Sequence, residues 1–252
     1  MTDSKIATRL YIEADLAAGA EIELAKHHAH FLKNVLRLDF GRHLLVFNGR
    51  DGEWLAQIAE LDKKHGRLIL ERQTRVQEPG NDLWLAFAPI KAGRIDWLVE
   101  KATELGASRL LPVLTRRTVV ERVKLARLQA NAREAAEQCE RLDVPTIQEP
   151  QSLEQLIRHW PAERPLLVAA ERTEAPPLPQ VLENLQGPLG VLTGPEGGFA
   201  PEELKLLMTA DFVRPVSLGP RILRAETAAL TALAVVQAAT ATGPGDLVAR
   251  GC

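Results

Sequence analysis

Beyond residue 82 the chain alternates short, unbroken apolar runs with amphipathic stretches, and this rhythm restricts its architecture more than any other feature. DLWLAFAPI, RLLPVLT, PLLVAA and PLGVLTG are apolar without a period of two, whereas RIDWLVEKATELG, SLEQLIRHW, LPQVLENL and PEELKLLMTA carry the marks of helices. A strand that is apolar on both faces must be covered on both faces, and helices between such strands impose parallel pairing. The predicted fold class is therefore α/β, with a largely parallel sheet between helices and ligands received at the strand C-termini. Further expected elements are a long helix in ERVKLARLQANAREAAEQCERL, a strand near PTIQ, a last strand in VRPVSLGP and a closing helix, AETAALTALAVVQAAT.

Up to residue 75 the pattern differs. TRLYIE, EIELA, HLLVFNG, EWLAQIAEL and RLILERQ read as extended segments, broken by Asp39-Phe40-Gly41 and by Asn48-Gly49-Arg50-Asp51-Gly52. Asn-Gly and Asp-Gly favour hairpins because these residues tolerate positive φ. One helix, HHAHFLKNVLRL, interrupts them. The expectation is a small, mainly β barrel or sandwich over residues 1–75. A second domain over residues 76–252 follows it, with the boundary at the polar, turn-forming stretch from Val76 to Asp82.

Net charge is −2, yet residues 91–127 hold nine Lys or Arg against four Asp or Glu, a local basic surface compatible with a polyanionic partner. No stretch approaches the roughly 20 apolar residues of a membrane span. The start, MTDSKIATRLYIE, lacks the apolar core of a secretory signal, so a cytoplasmic location is expected. Cys139 is expected to be a half-buried helix residue and Cys252 a tail residue, with no disulfide; Thr242-Gly243-Pro244-Gly245 reads as a frayed tail. His27, His28 and His30 lack carboxylate or cysteine companions at useful spacing, so they read as a polar helix start and no metal is expected.

Two glycine turns carry the chemistry. LTGPEGGF, residues 192–199, follows an apolar run and precedes a helix, the usual place for a phosphate loop. It has neither the G-x-x-x-x-G-K-[ST] pattern nor G-x-G-x-x-G. Pro195 removes an amide donor and Glu196 repels anions, so the loop suits a neutral or cationic ligand whose flat face can approach glycine backbone. LGPRILRAETAAL places Gly219, Arg221 and Arg224 after another strand, with Glu226 and Thr227 opening a very apolar helix. At neighbouring strand ends the two turns would flank one ligand.

GPEGGF followed by LGPRILRAETAAL resembles the signature of the 16S ribosomal RNA uridine-N3 methyltransferases, a family of the SPOUT superfamily. HHAHFLKNVLRLDFG, IKAGRIDWLVEKATELGASRLLPVLTRRT and EAAEQCERLDVPTI are similar to that family in the same order. The resemblance implies an N-terminal PUA-like β-barrel that engages RNA and a C-terminal SPOUT α/β domain tied in a trefoil knot. It also implies a homodimer and the methyl donor S-adenosyl-L-methionine. Carried onto this chain, the cofactor pocket draws on Ala170, on Leu192, Thr193, Gly194, Gly197 and Gly198, and on Leu218, Gly219, Ile222, Leu223 and Thr227. A sulfonium cation joined to adenine accounts for a loop that rejects phosphate.

The implied reaction removes the N3 proton of a uridine in 16S ribosomal RNA of the small subunit. Arg224, donating to the uracil carbonyls, is the candidate for stabilising the resulting anion, and Glu196 or Glu226 for taking the proton. Arg9, Lys33 and Arg37 from the barrel, with Arg116 and Arg117 from the second domain, are the candidate phosphate contacts. Two other readings share these features: a related enzyme methylating a ribose hydroxyl or another base, and a non-catalytic RNA-binding protein of the same fold.

Overall fold

The computed structural model describes residues 6–80, 82–120, 122–170 and 174–240. The expected tail at residues 242–245, and Cys252, lie outside the described residues. Two compact units emerge: the first takes the residues up to Gly80 together with Ala136–Val144, and the second takes the rest. A contiguous division after residue 75 therefore misses one segment, which the first unit claims from the middle of the chain.

In the first unit the five extended segments form strands β1 (Arg9–Tyr11), β2 (Glu21–Glu23), β3 (His43–Phe47), β4 (Glu53–Leu61) and β5 (Gly66–Arg75). They make one sheet in the order β1-β3-β4-β5-β2, antiparallel except for the β1–β3 pair. Register shifts between β4 and β5 at Glu53/Trp54, Leu55/Ala56 and Ile58/Glu60 add local twist and let these long strands bend. The sheet curls far enough for Leu10 of one edge strand and Ile22 of the other to share a buried cluster with Leu44, Ile58 and Leu68. The two-sheet sandwich is thereby replaced by a single curled sheet. The helix is shorter than its sequence pattern: α1 (Lys26–His30) passes into a π-helical turn, Phe31–Val35, and Arg37 adopts a φ of 54° that ends it.

Arg9, expected as a phosphate contact, sits inside this unit, 7% exposed. Its Nε donates to Glu53 Oε2 at 2.7 Å, Nη1 to the Ala136 carbonyl at 2.8 Å and Nη2 to the Arg141 carbonyl at 2.7 Å. The guanidinium also lies 3.7 Å from the centroid of the Phe47 ring. Phe47 packs with Ala136 and Leu142, and the Tyr11 N–H donates to Glu137 Oε1 at 2.8 Å. An arginine on a strand reads as a surface charge from sequence. Here the buried Glu53 and the helix-end carbonyls convert it into an internal clasp. Cys139 also departs from expectation, being exposed just beyond the helix end.

The second unit begins with β6 (Leu83–Phe87), α2 (Arg94–Glu104), β7 (Ala107–Leu114), α3 (Leu125–Gln138), of which the first unit takes the residues from Ala136 on, and β8 (Thr146–Ile147). It continues with β9 (Gln151–Ser152), α4 (Leu153–His159), β10 (Leu166–Ala169), α5 (Leu178–Leu182), β11 (Leu189–Thr193), α6 (Pro201–Met208), β12 (Val213–Val216) and α7 (Ala225–Thr240). The sheet runs β12-β10-β11-β6-β7-β8 with every pairing parallel, and β9 adds to β7. All five residues of β11 are buried, as its unbroken apolar sequence requires.

Gly190 in β11 shows how tightly one face is filled. A Cβ there would lie 2.3 Å from Trp160 Cζ2, and the indole is fixed by its N–H bond of 2.8 Å to the Arg164 carbonyl. Trp160 also meets Trp84 edge-on, with ring centroids 5.3 Å apart. Gly190→Ala is expected to destabilise the protein by about 1–3 kcal/mol through overpacking. Thermal unfolding checks this, and an unchanged melting temperature would remove the close packing from the account.

Candidate functional site

Parallel register sets the floor of the site. Ala169 at the end of β10 is level with Thr193 at the end of β11 and with Val216 at the end of β12, so three chains leave the sheet at one height. β10 lies between the other two, and the turn at residues 194–198 and the stretch at 217–223 flank it. Together they line a cavity of about 280 Å³. This is near the lower end of ligand-pocket volumes, roughly 300–1,000 Å³.

Of the residues expected at the cofactor, Ala170, Thr193, Gly194, Gly198, Leu218, Gly219, Ile222 and Leu223 line this cavity. Leu192, Gly197 and Thr227 do not. Leu192 is fully buried in the core beneath, Gly197 lies against Arg117, and Thr227 is exposed on the first turn of α7. Sequence reasoning left out Phe199, Ser217 and Ala228, which also line it. Phe199 had a signal, because a glycine five residues before an aromatic leaves room beside the ring. A Cβ on Gly194 would lie 3.0 Å from Phe199 Cε2, so the glycine lets the ring pack against the turn.

The main chain is open where a flat group would need it. Gly198 has a φ of 68° and Gly219 a φ of 109°, and no atom lies within 4 Å of where a Cβ would stand at either. Glycine alone tolerates such angles at low cost. Arg221 is the one charged side chain lining the cavity among the described residues. The amide of Ala200, at the start of α6, donates to Glu203 Oε2 at 2.7 Å, so this helix end does not present that N–H to an anion. The arrangement offers a flat ligand glycine main chain on two sides and one guanidinium.

The three candidate catalytic residues flank the cavity and do not line it. Glu196 and Arg224 are exposed. Glu226, in the first turn of α7, is 7% exposed, with Oε1 3.7 Å from Arg94 Nε and Oε2 buried without a hydrogen-bond partner among the described residues. A carboxylate in a first helical turn gains from the helix dipole, and Arg94 adds a second attraction.

The basic candidates divide. Arg116 and Arg117 are exposed in the loop after β7; Arg116 Nη1 lies 3.6 Å from Glu202 Oε2 and Arg117 Nη1 donates to the Gly197 carbonyl at 2.7 Å. In the first unit Lys33 pairs with Asp39, and Arg37 is exposed. Among the described residues no group of three or more His, Cys, Asp or Glu is placed to hold a metal ion. No described helix is long and apolar enough to cross a membrane.

Two family models match successive parts of the chain. A family model described as an RNA methyltransferase domain matches residues 77–237, and one described as an RNA methyltransferase PUA domain matches residues 24–71. A protein named ribosomal RNA small subunit methyltransferase E from Rickettsia conorii is 37% identical over 91% of this chain and 94% of its own. A protein of the same name from Synechocystis is 36% identical over 92% of this chain and 78% of its own. Among solved structures, a Legionella pneumophila protein described as a methyltransferase with the cofactor SAM bound superposes with a TM-score of 0.84 at 30% identity, covering 93% of this chain and 98% of its own. The Neisseria gonorrhoeae ribosomal RNA small subunit methyltransferase E bound to S-adenosyl methionine gives 0.82 at 26%, covering 92% and 98%. With a PUA unit, an α/β unit and near full-length relatives of one name, the chain belongs to the ribosomal RNA small subunit methyltransferase E family of RNA methyltransferases.

Proposed function

We propose that the chain transfers a methyl group from S-adenosyl-L-methionine to N3 of a uridine in 16S ribosomal RNA. The observation that carries this reading is the cavity at the level ends of β10, β11 and β12. Its open glycine backbone admits a flat adenine, and its single arginine can meet the carboxylate of the cofactor's amino-acid end. Relatives of similar fold hold SAM. When bound, the cofactor supplies an electrophilic methyl group on a positively charged sulfur.

The chain's own residues then have distinct tasks. N3 lies on the Watson–Crick edge, so the uridine must enter unpaired. Arg224, exposed between two residues that line the cavity, donates to the uracil carbonyls and favours the N3 anion. Glu196, exposed on the turn, accepts the N3 proton directly or through one water. Glu226 is buried against Arg94 and holds the entrance of α7 in place. Much of the remaining rate enhancement comes from holding the two reactants in line. Lys33, Arg37, Arg116 and Arg117 offer the positive charge for phosphate contacts.

The trefoil knot belongs to the same reading. The Leu178 N–H reaches the Ser217 carbonyl at 3.0 Å and the Ser217 N–H the Pro176 carbonyl at 2.9 Å, so the segment after β10 runs beside the one after β12. A homodimer and a cytoplasmic location complete it. Incubation with methyl-labelled S-adenosylmethionine and ribosomal RNA tests the class of reaction: label is expected in small-subunit RNA and not in large-subunit RNA. Label confined to the large-subunit RNA, or none in either, would overturn it.

A further inference from the structure

Strand β6 lies between β11 and β7, yet the chains leaving those outer two strands meet across its end. Two contacts join them. Arg117 Nη1, in the loop after β7, donates to the Gly197 carbonyl in the turn after β11 at 2.7 Å. Glu203 is 4% exposed and accepts the Arg116 N–H on Oε1 at 2.8 Å and the Ala200 N–H on Oε2 at 2.7 Å. The buried carboxylate therefore ties the two loops at their base, and the guanidinium ties them nearer the tip.

The turn needs such support. Gly194, Pro195, Glu196, Gly197 and Gly198 offer it one internal hydrogen bond, from the Gly198 N–H to the Pro195 carbonyl at 2.9 Å. Glu196 is exposed, and glycines lose more conformational freedom on ordering than other residues. Gly194 and Gly198 line the cavity, whereas Gly197 turns its carbonyl to Arg117. The contact therefore fixes the binding surface from behind.

We propose that Arg117 is a positioning residue for the cofactor, its guanidinium holding the turn from Gly194 to Gly198 in its binding shape through the Gly197 carbonyl. This rests on the reading of the cavity as the S-adenosylmethionine site. It gives Arg117 a task that a phosphate contact does not include: its loss weakens cofactor binding when no RNA is present.

Titration of S-adenosylmethionine into the full-length protein without RNA tests this. A charged donor to a carbonyl sets the scale, and Arg117→Ala is expected to bind roughly tenfold more weakly. Arg117→Lys, which keeps one charged donor, regains part of the loss, and Glu202→Gln on the neighbouring helix binds within about twofold of the unaltered protein. In turnover, Arg117→Ala raises the KM for cofactor. Unaltered cofactor affinity in Arg117→Ala, or a defect confined to the KM for RNA, would overturn the positioning role while leaving the cofactor site intact. Absence of binding by the unaltered protein would overturn the site reading and this role together.

Discussion

Arg224→Ala is expected to lower turnover by roughly 10²–10³-fold, the loss typical of removing one donor to a developing anion. Affinity for S-adenosylmethionine should stay within about twofold, because the side chain flanks the cavity and does not line it. Stability should be untouched. Arg224 is exposed, and its side chain has no hydrogen bond or ion pair among the described residues. Its main chain is held separately, the Ala228 N–H donating to the Arg224 carbonyl at 2.8 Å. Single-turnover kinetics beside a cofactor titration separate these effects. A fully active Arg224→Ala protein would remove the residue from catalysis.

The second large effect is on folding. Arg9→Met should destabilise the protein by about 3–5 kcal/mol, because it removes a buried cation bonded to the interior carboxylate of Glu53 and to two main-chain carbonyls. Glu53 is 1% exposed, and its other oxygen accepts from the Thr74 hydroxyl at 2.9 Å. Burial pushes the Arg9 pKa down from its ordinary value, while the Glu53 carboxylate opposes that shift. Adding Glu53→Leu should recover part of the loss but not all, since the carbonyls of Ala136 and Arg141 still lack their donor. Urea unfolding of the three variants gives the comparison. A loss below about 1 kcal/mol in Arg9→Met would mean that the clasp contributes little.

That clasp also marks where sequence reading reached its limit. The apolar runs of β6, β7, β10 and β11 are visible because a strand covered on both faces tolerates few polar residues, and the helices between them because their periods differ. The hairpin at residues 48–52 is visible because Gly49 and Gly52 have φ values of 83° and 75°. Arg9 is different: its burial depends on Glu53, 44 residues away, and on carbonyls 127 and 132 residues away. No local pattern encodes such a meeting. For the same reason residues 136–144 cannot be assigned to the first unit from composition. Removing residues 1–75 would also strip Ala136 and Leu142 of Phe47, so it is not a clean deletion of one domain.

At the site the glycine turns were legible and their supports were not. GPEGGF and LGPRIL announce strand-end turns through residue types that only such turns require. The lateral link from Arg117 to Gly197 spans 80 residues and two loops, and an arginine pair in a basic stretch reads first as a phosphate contact. Glu226 read as an open candidate for taking a proton; its burial beside Arg94 follows from the packing of α7 against α2, which sequence spacing does not reveal.

Small-subunit RNA methylated by the unaltered protein should be digested to nucleosides and the modified one identified by mass spectrometry against synthetic standards. N3-methyluridine is the predicted product, and a 2′-O-methylated nucleoside or a methyl group on another base would contradict it.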